Sequence, residues 1–372
     1  MKMQSTTSKK NTRPHWAIIH PFQLRLQRGI ETYVWGLTEA LAKTGIEIDV
    51  ITWHGPLPVP ESVKEAGVRI VAMPESRYFE GFFASFFYLT QLLKNHYDHV
   101  LVHFAGYGEG PSLNLLHRFK KQPYSVVFHF PPNLVPHRYA EFRRWHFGRD
   151  AGHLIAVSNS TAREVADWSG RQVDVIEHGV DSSFFRPDAE LRKKTREQLG
   201  IPDDALVLIT VAALEERKGI QWGIRAMQAD PSVYYLVVGD GPYADKLKQL
   251  AASLNLEKRI LFLRFQLDVK PYLAASDLGF LLAYGEAFGL VLLEYAAMEL
   301  PIVTSCHAPF PEIIQAAWGA MVDEQNIVML SDILDELSDP EKRHCMGKSA
   351  REWVIKEHNW DEIAASYRAL IR

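Results

Sequence analysis

The chain has 372 residues, of which 47% are hydrophobic and 23% are charged, and its formal net charge is −4. This composition is typical of a globular protein, the length favours two domains over one, and the acidic balance gives no global positive field for nucleic acid. The two cysteines, Cys306 and Cys345, form no ligand-spaced cluster, which excludes a disulfide framework, and no apolar run reaches the ~18 residues that a membrane-spanning helix needs.

Residues 1–15 are polar and contain no apolar signal-peptide core. We expect them to form a disordered leader, and we expect the protein to stay in the cytoplasm, where it could still contact a membrane from that side. Nucleic acid is not expected among its partners, because the charge balance offers no basic surface overall.

In the first half of the chain, short apolar strands alternate with amphipathic helical stretches, a pattern typical of parallel sheets built from βαβ units. A helix is predicted over residues 29–44, where Val34, Leu37 and Leu41 follow helical spacing. The strands predicted in this half are 17–20, 46–53, 100–104, 125–130, 154–157 and 173–176.

A polar stretch over residues 181–199 ends in a charged helix and is typical of a linker. A second series of strands follows it, at 206–212, 235–238, 260–265, 278–282 and 302–305, with a last short helix over 360–372. The sequence therefore predicts an α/β protein of two doubly wound, Rossmann-like domains, 1–185 and 186–357. Ligands of such sheets bind in a cleft beyond the carboxyl ends of the strands.

The clearest site signal follows the fourth strand of the second series. The helix that begins near Leu290 is apolar on nearly every face apart from Glu294, which is typical of a buried helix. A carboxylate buried there needs either a polar ligand or a basic partner, and the sequence leaves both alternatives open. Free N–H groups near Phe288, Gly289 and Leu290 would form an anion site, and Glu286 precedes them. This arrangement suits a diphosphate with hydroxyl groups on both sides, as in a nucleotide sugar.

The spacing Glu-x7-Glu from Glu286 to Glu294, with Phe288-Gly289 in between, resembles the signature of family 4 retaining glycosyltransferases of the GT-B fold. The resemblance implies two Rossmann-like domains that face a central cleft, with the C-terminal segment 358–372 crossing back to complete the N-terminal domain. It also implies that Glu286 binds hydroxyls of the donor sugar, that Glu294 binds the ribose, and that the 288–290 backbone binds the phosphates.

Arg217 and Lys218 follow the first strand of the second series and precede a helix, where the helix dipole favours negative charge. Taken alone they could be a solvated turn, whereas the resemblance implies that they neutralise the departing diphosphate without a metal ion. No Asp-x-Asp pair occurs in the chain. Gly239 begins a Gly-Asp-Gly-Pro turn that resembles another element of the family, although a tight strand exit would need the same residues.

Two residues of the first half complete the predicted site. Gly29 begins the first predicted helix, and its backbone N–H groups would reach the diphosphate from the opposite side of the cleft. His129 lies at a strand end, where the family usually has an active-site histidine near the donor sugar, and His103 ends an adjacent strand and is its rival.

Several positions depart from the family pattern. Ala213 stands where many members have the arginine that clamps the diphosphate, so Arg217 must replace it, and Gly29 alone replaces a frequent glycine pair. The other departures, all at positions where glycine or a small residue is common, are Phe265, Ala287, Glu299 and 308–310. These changes spare both glutamates and the lysine, and they bear on the identity of the donor.

Two stretches are rich in aromatic and basic residues, a composition typical of helices that lie on anionic membranes. Buried aromatic residues beside a solvated basic face would give the same pattern. The residues concerned are Tyr78, Phe79, Phe82, Phe83, Phe86, Phe87 and Tyr88, then His137, Arg138, Tyr139, Phe142, Arg143, Arg144, Trp145 and Arg149.

The sequence therefore predicts a retaining, metal-independent hexosyltransferase that needs no cofactor. It would move a sugar from a UDP- or GDP-linked donor to a hydroxyl of a glycan or lipid-linked acceptor, in glycan, polysaccharide or glycolipid biosynthesis, with Lys218, Glu286 and His129 as catalytic residues. Two alternatives stay open: a nucleotide-sugar epimerase of the same fold, and a degenerate transferase that serves as the partner subunit of an active one. The lack of Gly-x-Gly-x-x-Gly after the first strand disfavours a dinucleotide oxidoreductase.

Overall fold

A computed structural model of the chain describes residues 13–20, 29–52, 59–73, 80–103, 109–130, 150–228, 230, 232–323 and 325–371. The side chains of residues 80–85 and 109–112 are outside the described features. Two parallel sheets organise these residues, with helices between successive strands.

The first half of the chain forms a parallel sheet of seven strands. Its strands are β1 (His15–His20), β2 (Glu47–Thr52), β3 (Arg69–Ala72), β4 (His99–His103), β5 (Tyr124–Phe128), β6 (His153–Ala156) and β7 (Asp174–Val175). Its helices are α1 (Gly29–Lys43), α2 (Glu61–Glu65), α3 (Glu80–Lys94), α4 (Glu109–Lys120) and α5 (Asn159–Ser169). The strand order is β3-β2-β1-β4-β5-β6-β7, so the chain reverses its direction of travel between β1 and β4.

The second half forms a parallel sheet of six strands. Its strands are β8 (Val207–Val211), β9 (Tyr234–Val238), β10 (Ile260–Phe262), β11 (Leu278–Leu281), β12 (Ile302–Ser305) and β13 (Gly319–Val322). Its helices are α6 (Ala189–Leu199), α7 (Ile220–Ala226), α8 (Ala244–Ser253), α9 (Lys270–Ala274), α10 (Leu290–Ala297), α11 (Phe310–Ile313), α12 (Ile327–Glu336), α13 (Pro340–Glu357) and α14 (Trp360–Leu370). The order β10-β9-β8-β11-β12-β13 puts the switch point between β8 and β11, and ligands of doubly wound sheets bind beyond the carboxyl ends of the strands at such a point.

The two predicted doubly wound sheets are confirmed, and the differences lie in their details. The strands β3 and β13 have no counterpart in the prediction; both are edge strands of only four residues, too short to show a clear alternation of buried and exposed positions. The strand β5 ends at Phe128, so His129 follows this strand rather than lying within it. The domain limits of 1–185 and 186–357 stay a prediction.

Asp277 ties the two switch-point strands of the second sheet together. Its Oδ2 accepts hydrogen bonds from the Val207 N–H at 2.8 Å and from Arg196 at 2.7 Å, while Oδ1 accepts from Arg192 at 2.6 Å. Both arginines lie on α6, within the stretch predicted as a linker. The end of that stretch therefore packs as a structural helix against the first residues of β8 and β11.

The last helix, α14, packs against α1 of the first sheet. The Tyr33 and Tyr367 hydroxyls form a buried hydrogen bond of 2.6 Å between these helices. Trp360 fits against Gly36 and Gly179, where an added Cβ would lie 2.3 Å and 2.7 Å from the indole ring. The predicted return of the C-terminal helix to the N-terminal half is confirmed.

Candidate active site

A cavity of about 1760 Å³ lies between the two sheets, among the loops that follow the strands. Although the residues predicted for the site come from distant parts of the sequence, the structure brings all of them into the lining of this one cavity. They are Gly29, His129, Arg217, Lys218, Gly239, Glu286, Phe288, Gly289, Leu290 and Glu294.

The loop after β8 carries the two predicted cations in a short 3-10 turn, Glu216–Lys218. Gly219 follows with φ at +70°, and a Cβ there would lie 1.9 Å from the Leu282 carbonyl oxygen, so only glycine lets this loop contact the loop after β11. The Tyr284 N–H also donates to the Arg217 carbonyl at 2.9 Å. The two loops at the switch point are therefore held together as one unit.

Lys218 and Glu286 form an ion pair inside the cavity, where each side chain is only 13% exposed. The Lys218 ammonium group donates to Oε1 of Glu286, and Nη1 of Arg217 lies 3.6 Å from the same oxygen. Arg217 also donates through Nε to Glu215 at 2.7 Å. Two cations thus face one cavity carboxylate, and an anionic ligand would compete with Glu286 for both of them.

Two helix N-termini meet at this cavity. Helix α10 begins immediately after Gly289, whose φ of +91° is left-handed, and no side chain caps this terminus. The N–H groups of its first turn therefore have no acceptor within the helix. Helix α1 begins at Gly29, where an added Cβ would lie 2.9 Å from Cδ1 of Leu290. Both helix dipoles favour an anion bound at this place.

Glu294 lies one turn inside α10 and lines the cavity. Burial raises the pKa of its carboxyl group to about 7. Among the described residues, no hydrogen bond or ion pair engages this carboxylate. Of the two alternatives that the sequence leaves open, the described residues therefore favour a polar ligand over a buried ion pair.

The opposite wall of the cavity includes Glu31 on α1 and, in the loops that follow the strands, two neutral histidines. His129 lines the cavity just beyond β5, and burial lowers the pKa of its imidazole to about 3. His103 ends β4 and is only 1% exposed, and its Nδ1 lies 2.8 Å from Nε2 of His129. The structure thus brings His129 to the cavity surface and places its rival directly behind it.

His178 is a cavity residue that the sequence analysis missed. Its ring stacks on His129 with the ring centroids 5.7 Å apart, and it packs edge-on against Phe288 at 4.9 Å. Burial lowers the pKa of His178 well below the usual histidine range. It follows the end of β7 in the same sheet, so the strand-end rule that selected His129 could also have selected His178.

Two family models match this chain. The model "Glycosyltransferase Family 4" matches residues 27–184, and the model "Glycosyl transferases group 1" matches residues 192–353. Together the two matches cover most of the chain, and they meet in the segment between the two sheets. The chain belongs to the group 1 glycosyltransferases.

Curated relatives align with part of this glycosyltransferase chain. N-acetyl-alpha-D-glucosaminyl L-malate synthase of Bacillus anthracis is 30% identical over 233 residues, which are 60% of this chain and 60% of the relative. A GDP-mannose-dependent alpha-(1-6)-phosphatidylinositol monomannoside mannosyltransferase of Mycolicibacterium smegmatis is 27% identical over 60% of this chain and 63% of its own length. The chain therefore spans about 60% of the length of these relatives.

A solved structure matches the fold over nearly the whole chain. It is that of Anabaena HepE in complex with UDP and glucose, with a TM-score of 0.82 and 18% sequence identity over 96% of this chain and 99% of that chain. The likeness shows that this glycosyltransferase shares the GT-B fold, as predicted.

One carboxylate of the second half of this glycosyltransferase contacts the first half beside the cavity. Glu312, on α11, accepts from Arg163 at 2.6 Å and from the Ser160 N–H at 3.1 Å, in the first turn of α5. The Thr161 hydroxyl lies 3.5 Å from the Ala287 carbonyl oxygen in the loop that carries Glu286. The two halves are thus in direct polar contact next to the predicted donor site.

Four of the departures from the family pattern lie on the cavity wall. Gly29, Ala213, Phe265 and Ala287 all line it, and Phe265 is 43% exposed. Glu299, by contrast, lies beyond α10 with φ at +59°, a left-handed conformation in which glycine is the least strained residue. The departures at the wall therefore change the shape of the binding site of this glycosyltransferase, whereas Glu299 does not.

The first aromatic stretch, for which the sequence leaves open either membrane contact or burial in the core, lies partly on α3. Phe86 is 59% exposed, while Tyr88 is buried. Helix α4 packs on α3 and exposes Leu115 and Phe119, the latter to 80%. Within the described ranges, no helix is long and apolar enough to cross a membrane. The predicted positions that fall outside the described residues or side chains are Tyr78, Phe79, Phe82, Phe83, His137, Arg138, Tyr139, Phe142, Arg143, Arg144, Trp145 and Arg149.

Proposed function

We propose that this family member is a retaining, metal-independent glycosyltransferase that moves a sugar from a nucleotide-sugar donor to an acceptor hydroxyl in glycan, polysaccharide or glycolipid biosynthesis. One observation carries the proposal. Two cations, an uncapped helix N-terminus and a half-buried carboxylate that has no partner among the described residues line one cavity between the two sheets. The cations and the helix N-terminus suit the diphosphate of a nucleotide sugar, and the carboxylate suits its hydroxyl groups.

The transfer breaks the bond between the sugar carbon and the diphosphate oxygen, and negative charge develops on that oxygen. Lys218, Arg217 and the first turn of α10 would stabilise this charge. Lys218 would then leave its ion pair with Glu286 for the phosphate, which frees the Glu286 carboxylate to accept hydrogen bonds from sugar hydroxyls. No group of three potential metal ligands occurs among the described residues. The proposed stabilisation of the diphosphate charge uses no metal ion.

The reacting sugar carbon becomes electron-poor as its bond to the diphosphate lengthens. A protonated histidine beside it would raise the energy of that state, whereas a neutral imidazole does not. The pKa of about 3 keeps His129 neutral at ordinary pH, which supports its proposed place near that carbon. Glu294 would bind the ribose hydroxyls, which would supply the hydrogen-bond partners that its carboxylate lacks.

The donor is proposed to be linked to UDP or GDP. The Mycolicibacterium smegmatis relative is named as a GDP-mannose-dependent enzyme, and the HepE structure contains UDP and glucose. The exposed Phe265 on the cavity wall replaces the small residue common in the family, so base preference has to be measured for this chain.

A binding screen by calorimetry tests the proposal, with UDP, GDP and ADP and with UDP-glucose and GDP-mannose. We expect one nucleotide to bind with and without EDTA, and we expect Glu294→Ala to weaken it about tenfold or more. The matched control is Glu257→Ala, which removes an exposed glutamate from the same half of the chain and should bind as the wild type does.

The alternatives give different outcomes. If no nucleotide binds, the transferase proposal fails in favour of the degenerate partner subunit. If the wild type converts a nucleotide sugar to its epimer without any acceptor, the chain is an epimerase instead. Transfer to an added acceptor with the anomeric configuration kept, read by proton NMR of the product, supports the proposal.

We also propose that the first half contacts an anionic membrane through the face of α3 and α4. Phe86 and Phe119 are exposed there, and Arg118, Lys120 and Lys121 flank Phe119 with positive charge. A sedimentation assay with vesicles of neutral lipid and with vesicles that contain anionic lipid should separate the contribution of the exposed aromatic residues from that of the positive charge. Binding to the anionic vesicles that falls in Phe119→Ser supports the contact, and equal recovery in the supernatant with both vesicles contradicts it.

A further inference from the structure

His103 has a buried polar contact with the cavity residue His129 that the proposed chemistry does not yet use. It lies at the end of β4, 1% exposed, behind the cavity surface. Its Nδ1 is 2.8 Å from Nε2 of His129, and the two rings stack with centroids 5.1 Å apart at an angle of 20°. One ring nitrogen of His129 is therefore already engaged before any substrate binds.

The two imidazoles must share a single proton along this contact. Burial lowers the pKa of both rings, so both are neutral at ordinary pH. A neutral imidazole has one donor and one acceptor nitrogen. If His103 donates, then His129 must carry its own proton on Nδ1; if His129 donates, its Nδ1 is a bare acceptor. The tautomer of one ring therefore fixes the tautomer of the other.

Among the described residues, the outer nitrogens of the pair have no partner: Nδ1 of His129 and Nε2 of His103 are both buried and make no hydrogen bond there. Since Nε2 of His129 is held by His103, any hydrogen bond that His129 makes to a donor sugar has to use Nδ1. The proton on His103 then responds to a ligand that His103 does not touch.

Packing alone does not replace this hydrogen bond. Tyr33 packs edge-on against His129 at 4.9 Å and against His103 at 5.7 Å, and His178 stacks on His129 at 5.7 Å. These contacts restrict the position of the His129 ring but leave its tautomer free. The only hydrogen bond to the His129 ring from the described residues comes from His103.

We propose that His103 is a positioning residue: through its hydrogen bond it fixes the orientation and the tautomer of His129, whose ring lines the cavity where the donor sugar is proposed to bind. The inference rests on the proposed transferase function and adds to it a residue outside the cavity. It requires that removal of the His103 hydrogen bond slows the reacting step and leaves donor binding largely intact.

Kinetics of three variants test this role. His103→Phe keeps an aromatic ring in the stack but removes the hydrogen bond, and we expect kcat to fall about tenfold with donor KM changed less than about twofold. In His103→Asn the side-chain amide can replace Nδ1, so most of the lost rate should return. The matched control is His99→Phe at the start of the same strand, where a buried histidine contacts Ser125 at 3.0 Å. His99→Phe should be destabilised about as much as His103→Phe and should keep the wild-type kcat.

Nitrogen NMR of histidine-labelled protein supplies a readout that simple destabilisation would not change. Adding the nucleotide sugar that the wild type turns over, UDP-glucose or GDP-mannose, should shift the His103 Nε2 signal along with the His129 signals. In His103→Phe, the two nitrogens of His129 should show a changed tautomer. A His103 signal that stays still on binding, with His129 shifted, overturns the coupling.

The two proposals fail in different ways. If the wild type neither binds nor turns over a nucleotide sugar, the transferase function fails, and the positioning role fails with it. If the wild type is active and His103→Phe has the wild-type kcat, only the positioning role is overturned. If His103→Phe and His99→Phe lose kcat equally, the loss is structural and the positioning role is again overturned.

Discussion

The two walls of the cavity differ in charge, although both are built from loops that follow parallel strands. The wall from the second sheet has charged groups close together: Lys218, Arg217 and Glu286, with Glu294 nearby. The wall from the first sheet has His129 and His178, which burial keeps neutral. The same kind of strand-end loop thus carries charged side chains on one wall and neutral imidazoles on the other.

The difference follows from how each wall is solvated. On the charged wall, opposite charges neutralise one another, so partly buried ions are tolerated without a ligand. On the neutral wall, stacked aromatic rings exclude water, and an imidazole there loses its proton rather than remain an unpaired ion. A substrate with an anionic part and a neutral part would therefore have one orientation in the cavity, its diphosphate toward the second sheet and its sugar toward the first.

The largest expected effect comes from removing charge from the charged wall. Lys218→Ala should lower kcat by about 10²–10³-fold, because the departing diphosphate loses a preorganised cation in a partly buried site. Arg217→Ala should cost less, since this side chain is 38% exposed and is shared with Glu215. Steady-state kinetics with the donor found in the binding screen measure both effects.

The control for this substitution is Lys248→Ala, which removes an exposed lysine from α8. It has the same change in net charge, so it should retain the wild-type kcat. Wild-type turnover in Lys218→Ala would mean that leaving-group charge develops elsewhere, and the contrast between the walls would lose its proposed meaning.

A smaller effect is expected from a change at Glu294, whose carboxylate has no partner among the described residues. The pKa of Glu294 is raised from 4.5 to about 7, so between these values the folded state binds more protons there than the unfolded chain does, and stability falls as pH rises. Glu294→Gln cannot ionise, so its free energy of unfolding should exceed that of the wild type by roughly 1–3 kcal/mol at pH 8 and by much less at pH 4.5. Urea unfolding at both pH values measures the difference.

The same substitution should weaken nucleotide binding even where it stabilises the fold, because an amide replaces the proposed acceptor of the ribose hydroxyls. Stabilisation with unchanged nucleotide affinity would leave Glu294 as a buried acid without a role in binding. Equal stability of the two proteins at both pH values would show that a partner in solution already satisfies the carboxylate.

The smallest effect is expected on the neutral wall, where a substitution of His129 should leave the shape of the pH profile of kcat unchanged. Because the pKa of His129 is lowered to about 3, this ring does not titrate between pH 5.5 and 8. The shape of the kcat profile in this range should therefore be the same in His129→Asn as in the wild type, whatever the loss in absolute rate. A limb near pH 6.5 that vanishes in His129→Asn would show that the ring is protonated in the working enzyme and that the wall is not neutral.

The sequence predicted the chemistry of the charged wall better than that of the neutral wall. Glu286, Glu294 and Lys218 carry their signal in local spacing and in an unusual charge on an apolar helix, and spacing is preserved when the chain folds. The pairing of Lys218 with Glu286 was not predictable, since it depends on how the loops after β8 and β11 meet.

On the neutral wall the prediction chose His129 and kept His103 as its rival, because each comes at the end of a strand. Which of two such residues faces the cavity depends on the order of the strands in the sheet and on the pleat, and neither is local in the sequence. The edge strands β3 and β13 escaped prediction because each has only four residues, too few to show a clear alternation of buried and exposed positions.

The packing of α14 onto α1 has a consequence for how the chain is made. Tyr33 and its hydrogen-bond partner Tyr367 are 334 residues apart, so at ordinary rates of synthesis the first helix waits on the order of tens of seconds on the ribosome before its partner emerges. During that time the groove around Gly36 and Gly179, which later receives Trp360, is open. The N-terminal half therefore completes its folding late, after the C-terminal half has been synthesised, and a nascent chain that stalls in between would expose this groove to chaperones and proteases.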